Sequence, residues 1–241
     1  MSKAIVIGNG KSLLEHIDKG DFDLFKKVDT FAMNKIHGLY YKNIIHNILG
    51  TSWRPTYWFW VEHLDGDNPT NKLIDELYEN HIEPDLEICY IDIKFYDYLV
   101  DRHSDVKYKN IRWITRCNNP KHSGQHLYSL RPRHWNNEVP CIYGGSMHTV
   151  LWYADRLGYS DIGLVGCDLG ITKPHGNFDN NHFRSDYISY IDGDWNKQNA
   201  TLVDMHKIIN ENYKSKNKRI VNCGIGGNLN VYPRVQLRNW L

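Results

Sequence analysis

A glycine-containing turn follows the first apolar run of the chain, in the stretch KAIVIGNGKSLLEHI at residues 3–17. Gly10-Lys11-Ser12 is similar to the end of a P-loop, but that motif needs a glycine five positions before Gly10, where the chain has Ile5. A dinucleotide-binding fingerprint needs a third glycine three residues after the second, where the chain has Leu13. Both of these phosphate-binding motifs are therefore excluded at this turn.

The turn keeps the general features of an anion site. Gly8-Asn9-Gly10 ends a predicted strand and Ser12 begins a predicted helix, so free backbone N–H groups and the positive end of the helix dipole point to one spot. Ser12 is a suitable N-cap residue, and Glu15 three positions later predicts a capping box. A plain strand-to-helix turn with nothing bound explains the same residues equally well.

Polar residues also follow three later apolar runs, as Asn34-Lys35, Glu62-His63 and Gly166-Cys167-Asp168. In a parallel sheet these positions meet at one edge, which is where such sheets bind ligands. The pattern predicts a polar crevice at this edge.

The side chains in this crevice have alternative roles. Asn9 and Asn34 offer donors and acceptors for a nucleotide base or a phosphate oxygen, or they stabilise their own turns. Asp168 either binds a ribose hydroxyl, orients a loop, or accepts backbone N–H groups as a structural carboxylate.

The densest polar segment is DNNHFRSDYISYIDGD, residues 179–194. His182 is its natural general base, because an unperturbed histidine titrates near neutral pH. Tyr187 and Tyr190 can donate hydrogen bonds to a leaving-group phosphate. The segment therefore supplies candidate catalytic residues.

Two acidic triplets raise the question of a metal, namely Asp65-Gly66-Asp67 and Asp192-Gly193-Asp194. Such triplets hold a divalent cation in many sugar-nucleotide enzymes, but both occur in stretches where aspartates also form turns. The five cysteines are scattered and form no Cys-x-x-Cys pair, which argues against zinc and against a disulfide framework. We expect no metal site and no cofactor beyond the substrate.

Strand-length apolar runs alternate with helical patterns along the chain. The predicted strands are Ala4–Ile7, Thr30–Met33, Tyr57–Val61, Ile88–Ile91, Ile111–Ile114, Ile162–Val165 and Ile220–Val221. The predicted helices are Leu13–Lys19, Asn71–Asn80, Ser146–Leu157 and Asn199–Lys214. Nearly unbroken apolar strands are typical of a sheet covered on both faces, so the pattern predicts an α/β fold with an open, mostly parallel sheet and helices on both faces. Long polar segments at 118–139 and 170–195 interrupt it, and the second is a predicted lid.

Length and charge limit the class of protein. A chain of 241 residues fits one α/β domain over 1–241. The 29 Lys and Arg residues nearly balance the 28 Asp and Glu residues, so the net charge gives no overall electrostatic field that would attract nucleic acid. We find no transmembrane-length apolar run and no signal-peptide pattern, and we expect a cytoplasmic protein. The sequence leaves monomer and homo-oligomer open.

Several of these segments together resemble a known family. The segments IVIGNGKSL and FAMNKIHGLYY resemble the start of the bacterial lipooligosaccharide sialyltransferases, and GGSMHTVLWYADRLGYSDIGLVGCDLG resembles their central segment. DNNHF and NCGIGGNLNVYPRV are similar to a related, poorly characterised group that borders flagellin-modifying glycosyltransferases and archaeal pterin pyrophosphokinases. The resemblance covers about half of the chain, in separated blocks.

The resemblance implies a Rossmann-like, metal-independent glycosyltransferase that uses a CMP-activated sugar and a glycan or glycolipid acceptor. It places His182 as the base and Tyr187 and Tyr190 at the leaving phosphate. The nucleotide-binding residues that it implies are Gly8, Asn9, Gly10, Ser12, Asn34, Gly145 and Ser146. The residues themselves add Lys11, as a cationic contact to the phosphate, and Asp168, which can bind the ribose.

The chain also departs from the family. The family commonly has proline where this chain has Lys11, and its lid usually places the histidine after a tyrosine, whereas His182 precedes both tyrosines here. Two alternatives remain open: a Mg²⁺-dependent enzyme similar to pterin pyrophosphokinases, and a nucleotide-binding module without catalysis.

Overall fold

The computed structural model describes residues 2–39, 53–61, 88–102, 111–117, 135–141, 145–170, 181–183 and 195–241. The predicted helix at 71–80 and most of the polar segment at 118–139 lie outside these residues, as do both Asp-x-Asp triplets, Tyr187 and Tyr190. Of the predicted lid at 170–195, the structure describes Gly170, residues 181–183 and Trp195.

Seven parallel strands form a single sheet in the described part of the chain. They are β1 (Lys3–Ile7), β2 (Asp29–Met33), β3 (Tyr57–Trp60), β4 (Ile88–Asp92), β5 (Ile111–Ile114), β6 (Asp161–Val165) and β7 (Arg219–Asn222). Their order is β5-β4-β3-β2-β1-β6-β7, and every pair is parallel. The seven predicted strands are confirmed, because their apolar runs occupy positions that are covered on both faces.

Helices pack on the two faces of this sheet. They are α1 (Leu13–Asp18), α2 (Phe22–Phe25), α3 (Tyr96–Arg102), α4 (Gly145–Arg156), α5 (Trp195–Lys214) and α6 (Leu237–Trp240). Two 3₁₀ segments lie at Asn34–Leu39 and Ile93–Phe95. The three predicted helices that fall on described residues are confirmed as α1, α4 and α5.

Alternate residues of each central strand pack into two separate hydrophobic cores, one on each face of the sheet. Ile5 and Ile7 of β1 pack in the core that includes α1, α2 and α6, whereas Ala4 and Val6 pack in the core that includes α4 and α5. All four residues are fully buried. The protein is therefore an open α/β fold of the Rossmann-like type, as the sequence predicts.

The carboxyl end of α4 is followed by a glycine in a left-handed conformation. Gly158 has a φ of 90°, a left-handed conformation that favours glycine. The N–H of Tyr159 then donates back to the carbonyl of Ala154 at 3.0 Å, which closes the helix end. This turn leads the chain directly into β6.

The C-terminal helix α6 is anchored near the amino-terminal end of β6. Trp240 Nε1 donates to Asp161 Oδ1 at 2.9 Å, and Arg219 donates to both oxygens of the same carboxylate. A Cβ at Gly163 would lie 2.9 Å from the Trp240 ring, so the absence of a side chain makes room for the indole. No helix in the described residues is long and apolar enough to cross a membrane.

Candidate functional site

The candidate site lies where the strand order reverses. The chain adds β2 to β5 successively on one side of β1 and then places β6 on the other side. Open α/β sheets bind ligands outside the carboxyl ends of the strands at such a switch point. Here the switch point is formed by residues 8–10 after β1 and residues 166–168 after β6.

The two segments pack backbone to backbone. Gly8 N–H donates to Val165 O at 2.8 Å, and Gly10 N–H donates to Gly166 O at 2.7 Å. A Cβ would lie 2.4 Å from Gly166 O if placed on Gly8, and 2.6 Å from it if placed on Gly10. The neighbouring backbone therefore requires glycine at both positions. The sequence predicts free N–H groups at this turn, and for Gly8 and Gly10 this prediction is wrong, because both N–H groups are hydrogen-bonded within the protein.

Asp168 occupies the amino-terminal end of α1. Its Oδ2 accepts the backbone N–H of Ser12 at 2.7 Å, and its Oδ1 accepts the hydroxyl of the same serine. Ser12 makes no side-chain cap hydrogen bond to its own helix, so the capping box predicted with Glu15 is wrong. The physical reason is that a carboxylate 156 residues away in sequence engages the serine and complements the helix dipole.

Asn9 and Asn34 connect three elements at the carboxyl edge of the sheet. Asn9 Nδ2 donates to Met33 O at 3.0 Å, which joins the ends of β1 and β2. Asn34 Nδ2 donates to Ser146 Oγ at 3.0 Å, which joins the end of β2 to the start of α4. Both asparagines are 8% exposed, so each is held in place at the edge of the sheet.

The backbone at Asn34 and at the start of α4 adopts turn conformations. Asn34 has a φ of 48° and Gly145 a φ of 64°. Asn34 O accepts the Trp58 indole N–H at 2.8 Å, and Asn34 Oδ1 accepts the N–H of Val61 at 3.4 Å. Asparagine tolerates this conformation better than other residues with a side chain, which explains its place at the end of β2.

His182 lies against the glycine turn. It forms an antiparallel bridge with Gly10, and the next residue, Phe183, donates its N–H to Asn9 O at 2.9 Å. Phe183 is buried, whereas His182 is partly exposed. The structure therefore brings the predicted base to the same turn as the predicted nucleotide-binding residues.

A glycine-rich loop, residues 224–228, covers Asp168 from the other side. Asn228 N–H and Leu229 N–H both donate to Asp168 O, at 2.6 and 3.1 Å. A Cβ on Gly227 would lie 2.2 Å from the same carbonyl. Sequence reasoning did not assign this loop to the site, although three glycines in the stretch GIGGN are a signal of close backbone approach.

Two further residues of the switch point can affect its chemistry, Lys11 and Cys167. Lys11 is exposed beside the turn. Burial, together with the Asp168 carboxylate, raises the pKa of Cys167, so this residue is a neutral thiol rather than a nucleophile. Among the described residues, no group of three His, Cys, Asp or Glu side chains is arranged to hold a metal ion.

Comparisons with protein-family models, with curated proteins and with solved structures found no match for this chain. The fold defines the class of this protein. It is an open α/β protein of the Rossmann-like type, with polar residues at its switch point.

Proposed function

We propose that this protein is an inverting glycosyltransferase that binds a CMP-activated sugar at the carboxyl edge of β1, β2 and β6. The observation that supports the proposal is that polar residues from four separate parts of the chain meet at this edge. Asn9 bonds to Met33, the neighbour of Asn34, and Asn34 bonds to Ser146. His182 pairs with Gly10, the neighbour of Asn9. The choice of a CMP-linked donor and of a glycan or glycolipid acceptor comes from the sequence resemblance.

In this proposal the nucleotide lies between the end of β2 and the start of α4. The amides of Asn9 and Asn34 and the hydroxyl of Ser146 recognise the cytidine and its ribose. The Asp168 carboxylate already accepts the N–H of Ser12, and it would repel a phosphate placed there. The donor phosphate therefore contacts Lys11, with Tyr187 and Tyr190 as its further partners.

His182 is the general base of the proposed reaction. It accepts the proton of an acceptor hydroxyl as that oxygen attacks the anomeric carbon of the donor sugar. The bond between the anomeric carbon and the phosphate oxygen breaks, and CMP leaves with the electron pair. Attack opposite the leaving group inverts the configuration, and a positioned general base contributes a rate factor of about 10² to 10⁴.

A thermal-shift panel of CMP, CDP, UDP, GDP and ATP, each with and without Mg²⁺, tests this proposal. A ligand that binds only the folded state stabilises it by about 2.7 kcal/mol at a hundred times its Kd. We expect CMP to raise the Tm without metal. Ser146→Ala should reduce this shift, whereas Ser215→Ala, at an exposed serine after α5, should not.

Other results would contradict the proposal in different ways. A shift with Mg²⁺-ATP but not with CMP would favour the enzyme similar to pterin pyrophosphokinases. CMP binding without turnover of CMP-sugars, unchanged in His182→Ala, would indicate a module that binds nucleotides without catalysis.

A further inference from the structure

A cavity separate from the turn at the switch point lies between α1 and the segment that connects β7 to α6. Its volume is about 650 Å³, within the range of about 300–1,000 Å³ that is usual for small-molecule sites. It is lined by His16, Lys19, Asp21, Cys223, Gly224, Ile225, Arg234, Val235, Gln236, Leu237 and Arg238. None of these residues was among the predicted site residues.

His16 is the most informative residue of the lining. Its side chain is 2% exposed, and its Nδ1 lies 2.9 Å from Asp21 Oδ2. Its Nε2 is buried and has no hydrogen-bond partner among the described residues. A buried polar atom without a partner loses its hydration and gains no hydrogen bond in return, so a group that reaches Nε2 would be favoured.

The charges of the lining favour an anion. Lys19, Arg234 and Arg238 outnumber the one carboxylate, Asp21, by two positive charges. Arg238 donates to Asp21 Oδ1 at 2.9 Å, and Arg234 donates to three carbonyls of the loop at 224–227. Lys19 has no side-chain partner among the described residues, and it is exposed at the rim.

The remaining wall is mostly apolar, with Gln236 as its polar side chain. Ile225, Val235 and Leu237 contribute aliphatic side chains. Burial raises the pKa of Cys223 to about 12, so the thiol adds a neutral surface. A ligand that matches the whole lining has an apolar body and one anionic end.

We propose that this cavity binds a small organic anion whose carboxylate or phosphate contacts Lys19 and whose polar group reaches Nε2 of His16. The Asp21 carboxylate fixes the ring by accepting from Nδ1, which orients Nε2 as a partner for the ligand. This site does not depend on the proposed glycosyltransferase activity. The two sites share the loop at 224–228, but the side chains that are proposed to contact each ligand differ.

Three small probes of matched size test the proposal: 4-hydroxyphenyl phosphate, 4-hydroxybenzoate and the neutral 4-hydroxybenzyl alcohol. Each carries a phenol O–H that can donate to Nε2, which is an acceptor because Nδ1 donates to Asp21. Each is titrated into the protein with ¹⁵N-labelled histidine rings, and the Nε2 signal of His16 is followed by NMR. We expect a saturable shift with at least one anion and none with 4-hydroxybenzyl alcohol. The tighter of the two anions identifies the head group as phosphate or carboxylate.

Variants separate the proposed contacts from nonspecific binding. Lys19→Ala should weaken the better anion about tenfold, the effect expected for loss of one charge-assisted hydrogen bond. Lys197→Ala, at an exposed lysine of α5, is the matched control and should leave the Kd unchanged. His16→Asn keeps a group at the Nδ1 position and removes Nε2, and it should also weaken binding. Because His16 is buried, the Lys19 variant provides the test if His16→Asn does not fold.

Three results would overturn the proposal. These are the absence of a saturable shift with either anion, equal binding of 4-hydroxybenzyl alcohol, and a Kd that is the same in Lys19→Ala as in Lys197→Ala. The first of these would mean that water alone satisfies Nε2.

Discussion

Asp168 determines the electrostatics of the glycine turn. Its carboxylate accepts the N–H and the hydroxyl of Ser12. Its carbonyl accepts the N–H groups of Asn228 and Leu229, at the end of the glycine-rich loop. The positive end of α1 therefore already has an anionic partner within the protein. A phosphate at this site has to bind beside Asp168, where Lys11 is exposed, rather than on Ser12.

Asp168→Asn tests whether this residue holds the turn together. The amide keeps the shape of the side chain but loses the charge, so the hydrogen bonds to Ser12 weaken. We expect the free energy of unfolding to fall by about 1–2 kcal/mol in urea denaturation. Asp204→Asn, on the exposed face of α5, is the control and should change it by less than about 0.5 kcal/mol. Equal urea midpoints for the two variants would contradict a structural role for Asp168.

At the scale of elements, α5 supports the segment that forms the glycine-rich loop. His206 of α5 lies with its Nδ1 3.0 Å from the Tyr232 hydroxyl, and Asn210 Nδ2 donates to Val231 O at 3.2 Å. His206 and Tyr232 are both buried. These contacts hold residues 231–232 against the helix and so hold the end of the loop that covers Asp168.

The buried histidine makes this contact sensitive to acid. Burial lowers the pKa of His206 to about 4, below its usual value of 6.5. Between these two pH values the unfolded chain binds a proton that the folded chain does not, so the free energy of unfolding falls as the pH drops from about 6.5 to about 4. The full loss, from about 2.5 pKa units at about 1.36 kcal/mol each, is about 3 kcal/mol.

His206→Gln should remove this part of the pH dependence. Urea denaturation between pH 7 and pH 4 gives the slope for the native protein and for the variant. We expect a shallower slope in His206→Gln than in His182→Gln, in which the substituted histidine is partly exposed. Equal slopes would show that His206 is not the source of acid sensitivity.

At the scale of the whole molecule, the sheet could be predicted because its strands carry a local signal. The apolar run at Ile162–Val165 is followed by Gly166, and β6 is buried at every position. The four-residue helices α2 and α6 are too short to show a helical period, and both were missed.

Part of the candidate site could be predicted because it follows from the ends of strands. Asn9, Asn34 and Asp168 come directly after strands, so a parallel sheet brings them to one edge. The pairing of Ser12 with Asp168 has no local signal, because it joins residues far apart in sequence. The cavity beside His16 was missed for the same reason, since its walls come from opposite ends of the chain.

Binding of a cytidine nucleotide at the switch point is tested most directly by titrating CMP without Mg²⁺ into ¹⁵N-labelled protein and following the backbone amides by NMR. We expect saturable shifts at Gly10, Asn34 and Ser146, at the carboxyl edge of the sheet. The amides of Asp161 and Arg219, at the starts of β6 and β7, should stay unchanged. No saturable shift, or shifts confined to the strand starts, would contradict the claim that a cytidine nucleotide binds at the switch point.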